Sequence, residues 1–395
     1  MFIYNSAMIS ALGLDETEII KNLYSDQSKL QLSSDYLLNH QSTYLGLVGQ
    51  KYKLENILEK KYNSINNKLA LTALIKLEKS LKDLTQYIPK NRIAVIVGTS
   101  TSGFSDAEHA FKRLNTHNNL GNDFHYKQQE IGCLSEFIKN YLDLSGPSYT
   151  ISTACSSSAR TLISAQHLMQ CGLADAVIVG GCDTICKLTT QGFDSLQSVS
   201  QSICKPFETN RDGINIGEAA AFMILTKKCF SKSSLKILGI GQSSDAYHMS
   251  APDPSGLGAE RSMLDAIKKA NIKCEDVGYI NAHGTGTKLN DSMESMAIFN
   301  LFKDNTPVTS TKNQTGHTLG ASGILELSIC WLILRNNLEI PVQQNFDLID
   351  PNIQPININT QYRVLKNKII LSNSFAFGGN NVSIIIGEDN EIPPN

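Results

Sequence analysis

A cysteine, two histidines and a lysine stand in settings that favour chemistry. Cys155 lies in Tyr149-Thr150-Ile151-Ser152-Thr153-Ala154-Cys155-Ser156-Ser157-Ser158-Ala159, where a β-branched stretch runs into a helical one. Leu162, Ile163, Leu168 and Met169 continue the helical spacing, and Gly172 stands where a left-handed residue would end it. A cysteine at a helix N-terminus meets unpaired backbone N–H groups and the positive end of the helix dipole, which favour a thiolate. The plain alternative is a buried core cysteine, since free cysteine is among the most buried residue types. His283 ends the apolar stretch Val277 to Ala282 and opens Gly284-Thr285-Gly286-Thr287. Lys312 and His317 share the glycine-flanked segment Ser310 to Ala321 ahead of an apolar helix. Ligands of α/β proteins gather at strand carboxyl ends, although a histidine between glycines is equally compatible with a packed core. Together these residues form a set that cysteine chemistry uses: a nucleophile, two imidazoles able to donate hydrogen bonds to a developing oxyanion, and a cation.

The elements that must position them alternate. Arg92–Gly98, Asp175–Gly181 and Ala219–Leu225 predict buried strands, with amphipathic helices between them, so the fold class is α/β with sheets covered on both faces. Asn67–Leu84 predicts one helix. The stretch Thr101–Gly132 breaks the rhythm, and its His109, His117 and His125 read as loop residues, not ligands. A charged connector, Lys227 to Ser234, precedes a fresh start of the alternation at Leu235, which divides the chain into residues 1–230, carrying the cysteine, and 231–395, carrying both histidines. The second half predicts a strand at Ile237–Ile240, helices at Gly258–Ala270, Ser292–Phe302 and Ala321–Leu334, and strands at Val277–Ala282, Lys368–Ser372 and Val382–Gly387. A loop at Asn373–Asn381 separates the last two strands. The similar element counts of the halves suggest an internal structural duplication.

Composition narrows the classes. The 395 residues are 41% hydrophobic and 18% charged with a net charge of −2, which suits a globular protein and excludes a disordered chain or a basic nucleic-acid binder. Nine cysteines without secreted-domain spacing point to free thiols in a reducing cytoplasm. Cys182 and Cys186 have no second pair nearby to build a zinc site. The N-terminus has no signal-peptide pattern, and the most apolar run, Ile324–Leu334, is too short and carries Glu326, so no membrane span is expected.

These motifs resemble those of the β-ketoacyl-[acyl-carrier-protein] synthases of the decarboxylating, two-histidine class: Thr153-Ala154-Cys155-Ser156-Ser157, Ala282-His283-Gly284-Thr285-Gly286-Thr287 with Asn290, Asp291 and Glu294, Thr311-Lys312 through Gly316-His317, and Asn373-Ser374-Phe375-Ala376-Phe377-Gly378-Gly379. The resemblance implies a thiolase fold, a duplicated five-layer αβαβα architecture. It implies condensation of an acyl thioester held on Cys155 with malonyl-carrier protein, with His283 and His317 at the enolate oxygen. Lys312 matches the active-site lysine and is expected to fix His317 or the local field; Glu326 and Asp291 match supporting carboxylates. Thr285 and Thr287 match residues that bond the pantetheine amides, and Phe375, Phe377, Gly378 and Thr101 complete the substrate-binding set. An oxyanion hole of backbone N–H groups falls at Cys155 and Phe377. No metal or other cofactor is implied, because the phosphopantetheine arm belongs to the carrier protein. The implied partners are an acyl carrier protein with its acyl and malonyl forms, and a second subunit in a homodimer or in a heterodimer with a chain-length factor. Lys68, Lys76, Lys205 and Arg211 are candidate carrier-docking cations.

Departures bear on the substrate. The polar segment Asp123–Glu130 lies where fatty-acid elongating enzymes carry mostly apolar residues lining the acyl pocket and the dimer contact, and Ala376 replaces a glycine common in the gating loop. The combination of Gly98-Thr99-Ser100-Thr101-Ser102-Gly103, Ser374-Phe375-Ala376-Phe377 and Gly379-Asn380-Asn381 looks like ketosynthases of bacterial aryl-polyene biosynthesis. The alternatives are a noncatalytic chain-length-factor-like subunit, which would lack the nucleophile, and a thiolase-type acyltransferase, which would carry a second catalytic cysteine near the C-terminal glycines.

Overall fold

The computed structural model describes residues 1–38, 41–48, 57, 59–230, 235–344 and 346–388. The strands are β1 (Phe2–Ile9), β2 (Gln31–Ser33), β3 (Thr43–Leu45), β4 (Ile93–Gly98), β5 (Ser148–Ile151), β6 (Ala176–Asp183), β7 (Ala219–Thr226), β8 (Leu235–Ser244), β9 (Tyr279–Asn281), β10 (Val308–Thr309), β11 (Ile369–Ala376) and β12 (Asn380–Glu388). The α-helices are α1 (Glu16–Leu23), α2 (Ile65–Leu74), α3 (Glu78–Leu84), α4 (Phe104–His117), α5 (Cys133–Tyr141), α6 (Ser157–Gln170), α7 (Lys187–Ser195), α8 (Leu257–Ala270), α9 (Lys288–Phe302), α10 (Lys312–Thr315) and α11 (Ser322–Arg335).

The main sheet runs β10-β9-β11-β12-β8-β1-β7-β6-β4-β5 and is two copies of one pattern. Each copy has a parallel trio at its outer edge, β5-β4-β6 or β10-β9-β11, followed by two antiparallel strands, β7-β1 or β12-β8. One residue pair, Phe2 opposite Lys236, joins the copies.

Side-chain alternation along the strands sorts the layers. Ile93, Val95 and Val97 of β4 face a core shared with α2 and α5, whereas Ala94 and Ile96 face one shared with α6 and α11. In the second copy Leu371 and Ile385 pack with α8 and α9, while Ile370, Ile384 and Ile386 turn toward α6 and α11. Helix α6 and helix α11 therefore form the middle of five layers. Helix α11 is buried from Ser322 through Leu334, so its apolar residues run around the whole helix.

The buried strands fall where their apolar runs predicted. The 67–84 helix is broken into α2, a 3₁₀ turn at Ile75–Leu77 and α3. The stretch read as loop contains α4, and His109 and His117 lie on it; Phe104, Ala107, Phe111 and Leu114 recur there at helical spacing, a signal that the loop reading passes over, and the helix buries only Ser105, Ala107 and Ala110. The 373–381 loop shrinks to a tight hairpin, because β11 continues to Ala376 and β12 starts at Asn380. Residues 231–234 of the connector lie outside the described residues.

Candidate active site

Strand β5 ends at Ile151, and the chain turns through Ala154, a non-glycine residue with φ of 51°, before Cys155 and the start of α6. Cys155 thus sits just ahead of the helix. It is buried, and burial pushes its thiol up to about 12, opposed by Lys312 and by hydrogen bonds from the backbone N–H groups of Phe377 and of Cys155 itself. Desolvation therefore outweighs the helix terminus and favours the thiol, where the sequence pointed to a thiolate. The groups that oppose burial surround the sulfur where an anion would form.

His317 Nε2 lies 3.0 Å from Cys155 Sγ. Its backbone is pinned beside Asn215–Gly217 by His317 N–H to Asn215 O and Gly217 N–H to His317 O. Leu319 N–H donates to His317 Nδ1 at 3.3 Å, which places the ring proton on Nε2. The His283 and His317 rings meet edge-on with centroids 5.3 Å apart. Lys312 Nζ bonds Glu326 Oε1 and the His283 carbonyl, each at 2.5 Å, and lies 3.4 Å from His283 Nδ1. Lys312 therefore bonds His283 and reaches His317 only through the local field, and its contact again leaves the His283 ring proton on Nε2. Burial first, and then the nearby Lys312 charge, hold both imidazoles well below their ordinary pKa, so both are neutral N–H donors near pH 7. The ligand atoms of Cys155, His283 and His317 lie within 4.8 Å of one another, close enough for a metal ion to bridge. With protons on both Nε2 atoms, the rings offer that point donors, not lone pairs.

Sequence reasoning gave Glu294 no role, yet it holds the His283 turn by accepting from His283 N–H at 2.8 Å and Gly284 N–H at 2.7 Å. Asp291 accepts from Phe207 N–H and Gly286 N–H, fixing the same turn from the other side. Its position three residues before Glu294 on α9 was the signal available.

A cavity of about 450 Å³ leads to these groups, lined by Cys155, His283, His317, Thr285, Thr287, Phe375 and Phe377 among others. The Thr285 and Thr287 hydroxyls are 2.9 Å apart. Phe377 packs on Phe193 of α7 at 5.5 Å. Three expectations are corrected. Thr101 does not line this cavity; it is buried and bonds Asp183 through both its N–H and its hydroxyl. Gly378 is outside the lining too, its N–H donating to Met249 O, and it supplies the positive φ of 81° that the hairpin turn needs. The segment 123–130 lies apart from the cavity: Tyr126 is 62% exposed, and Gln128 turns in to bond Lys60 O, Asn63 O and Asp123 O. Among the docking candidates, Arg211 is buried and bonded to Asp350, so it cannot face a partner.

The duplicated layers and the cysteine–histidine–histidine centre at a cavity floor define a thiolase-fold condensing enzyme. The chain belongs to the β-ketoacyl synthase family, an acyltransferase-class ketosynthase: residues 12–229 match "Beta-ketoacyl synthase, N-terminal domain" and residues 235–347 match "Beta-ketoacyl synthase, C-terminal domain". It is 34% identical over 262 residues to a 3-oxoacyl-[acyl-carrier-protein] synthase 2 of Rhizobium meliloti (strain 1021), which is 62% of this chain and 61% of that protein. It is 31% identical over 407 residues to a 3-oxoacyl-[acyl-carrier-protein] synthase 1 of Buchnera aphidicola subsp. Baizongia pistaciae (strain Bp), 96% of this chain and 97% of that one. Among solved structures, the ketosynthase ApeO of Xenorhabdus doucetiae, in complex with its chain length factor ApeC, superposes with a TM-score of 0.94 at 43% identity over 98% of both chains.

Proposed function

We propose that this chain condenses an acyl thioester with malonyl-carrier protein, releasing carbon dioxide, through Cys155, His283 and His317. The observation that carries it is the convergence of one thiol with two neutral Nε2–H donors at the floor of the cavity. In the first half-reaction Cys155 Sγ attacks the acyl carbonyl carbon, the pantetheine sulfur leaves, and the proton lost by Cys155 goes to that sulfur. The N–H groups of Phe377 and Cys155 receive the carbonyl oxygen as it becomes negative. In the second, the bond to the malonyl carboxylate breaks and carbon dioxide departs with the electron pair left as an enolate. His283 and His317 hold its oxygen. The enolate carbon then attacks the acyl-enzyme carbonyl and expels Cys155 as a thiolate, which takes a proton from solvent to regain its resting form. Lys312 and Glu326 fix His283, Thr285 and Thr287 bond the pantetheine amides, and the only prosthetic arm is the carrier protein's own.

The partners in this reading are an acyl carrier protein and a second subunit, a copy of this chain or a chain-length factor, in the cytoplasm. Edge strand β5 with its exposed Tyr149, and the likeness to a ketosynthase solved with its chain length factor, support a subunit partner. The motifs at Gly98–Gly103, Ser374–Phe377 and Gly379–Asn381 support an aryl-polyene setting. The presence of Cys155 weighs against a noncatalytic subunit. The test uses radiolabelled acyl-carrier protein and malonyl-carrier protein. His317→Ala should still load label onto Cys155 while carbon dioxide release falls on the order of a hundredfold. Equal loss of both half-reactions would remove the enolate role, and acyl transfer surviving Cys155→Ala would remove the reaction.

A further inference from the structure

Asp183 ends β6 fully buried, and it is not among the groups that reach the cavity. Its Oδ1 accepts four hydrogen bonds from one turn: Thr99 Oγ1 and Thr101 Oγ1 at 2.8 Å, and the N–H groups of Ser100 and Thr101 at 2.7 Å. A buried carboxylate needs such donors, but four on a single oxygen concentrate them where one turn is held rather than spreading them over the group. Its Oδ2 accepts none.

The turn so held touches both halves of the catalytic centre. Ser100 Oγ donates to the carbonyl of Ala154, the left-handed residue immediately before Cys155. On the other side Gly320 approaches so closely that a Cβ there would lie 2.7 Å from both Asp183 Oδ2 and Ser100 Oγ. Gly320 follows Leu319, whose φ is 51° and whose N–H fixes the His317 tautomer. Two strained residues, one ahead of the nucleophile and one after the histidine, thus close on the turn that Asp183 anchors. A left-handed alanine persists only where its surroundings over-determine it. The Ala154 carbonyl belongs to the peptide whose N–H is that of Cys155, one of the two that face the sulfur.

We propose that Asp183 is a positioning residue for acyl transfer: through the Thr99–Thr101 turn it holds the Ala154–Cys155 peptide in the orientation that aims the Cys155 N–H at the oxyanion, while the Leu319–Gly320 turn that orients His317 for the second half-reaction rests on the same anchor. The inference rests on the proposed acyl transfer at Cys155. Asp183 also adds negative charge near the thiol, raising its pKa as one of the lesser causes after burial. Removing the charge therefore lowers the thiol pKa, whereas removing the anchor slows the chemical step.

The test compares the unaltered chain with Asp183→Asn, which keeps the shape, and Asp183→Ala, which removes the anchor. Two quantities are read: the rate of Cys155 acylation from an acyl-carrier protein as kcat and KM, and the pH midpoint of iodoacetamide alkylation at the Cys155 peptide by mass spectrometry. In Asp183→Ala kcat should fall on the order of a hundredfold with KM within about threefold, since a misaimed donor slows the chemical step more than binding. In Asp183→Asn the alkylation midpoint should move to lower pH while kcat falls less, on the order of tenfold. A purely structural role predicts a lost melting transition in both variants with no midpoint shift in any folded fraction, and that result overturns the proposal. So does a normal kcat in folded Asp183→Ala or Asp183→Asn. If the unaltered chain itself takes no acyl group, the proposed reaction fails, and an unshifted midpoint in folded Asp183→Asn still sinks the coupling of Asp183 to the thiol.

Discussion

At the scale of single residues, the centre is a contest between burial and hydrogen bonding, and burial wins at most of its titrating groups. Glu294 shows the consequence for stability. Burial pushes its carboxyl up to about 7, although it accepts from the N–H groups of Gly284 and His283. A pKa above the ordinary 4.5 means that the folded protein holds this proton more tightly than the unfolded chain. The stability it contributes is then complete below about pH 4.5 and is lost as pH rises through about 7. Glutamine in its place keeps an acceptor and has no such titration. The melting temperature of the unaltered protein minus that of Glu294→Gln should therefore fall between about pH 4.5 and pH 7 and level off above. A difference that climbs with pH over the same window would mean that the N–H donors, not burial, set this carboxyl.

At the scale of elements, the β11–β12 hairpin delivers a backbone donor to the sulfur, and its turn is made by two left-handed glycines. Gly379 has φ of 71°, and a Cβ there would fall 2.8 Å from Asp245 Cβ, whereas at Gly378 the nearest atom would be Asn380 Nδ2 at 3.6 Å. Alanine at either position costs about 1–2 kcal/mol of left-handed strain. Only at Gly379 must the turn also shift away from Asp245, carrying Phe377 N–H with it. Gly379→Ala should slow Cys155 acylation more than tenfold, and Gly378→Ala should slow it less at a similar loss of urea stability. Acylation by Gly379→Ala at the unaltered rate would show that the hairpin does not aim the donor. The chemistry of this hairpin was legible as Phe377-Gly378-Gly379, but its length was not, because Asn373, Ser374, Asn380 and Asn381 look like loop residues while pairing as strand. Strands β4, β6 and β7 were legible because both faces are covered and every position is apolar or small except Asp183 at the end of β6 and Thr226 at the end of β7. Helix α4 was passed over although Phe104, Ala107, Phe111 and Leu114 stand at helical spacing, because polar and histidine positions fill the rest of it. The reacting side chains stood out by type and position. Their allegiances did not: sequence spacing cannot say that Lys312 reaches His283, that Glu294 grips the histidine turn, or that Thr101 turns from the cavity to Asp183.

At the scale of the whole molecule, no helix among the described residues is long and apolar enough to cross a membrane, so the apolar length of α11 is spent inside the protein. This helix follows His317 in sequence, yet it lies in a core that joins Ala94, Val179 and Met223 of one sheet copy to Val382, Ile384 and Ile386 of the other. It is tied to the nucleophile turn by Ser322 Oγ to the Cys155 carbonyl and by Ile324 N–H to Ser158 Oγ, and to β1 by the Ser6 and Ser328 hydroxyls. Each buried leucine or isoleucine on it contributes about 1.5–3 kcal/mol relative to exposure. A chain of residues 1–230 alone would leave the inner faces of β4, β6 and β7 without that cover. Neither half should therefore fold separately, and the whole should unfold in one transition despite its length. The single tryptophan, Trp331, belongs to the shared core at 4% exposure, at its edge beneath the Arg335 guanidinium, and reports on the packing of α11. Its fluorescence and the far-ultraviolet circular dichroism of the whole chain should change at the same urea concentration, and residues 1–230 expressed alone should show no cooperative transition. Two separated transitions, or a folded 1–230 fragment, would mean that the halves are independent units and that α11 is only a clasp between them.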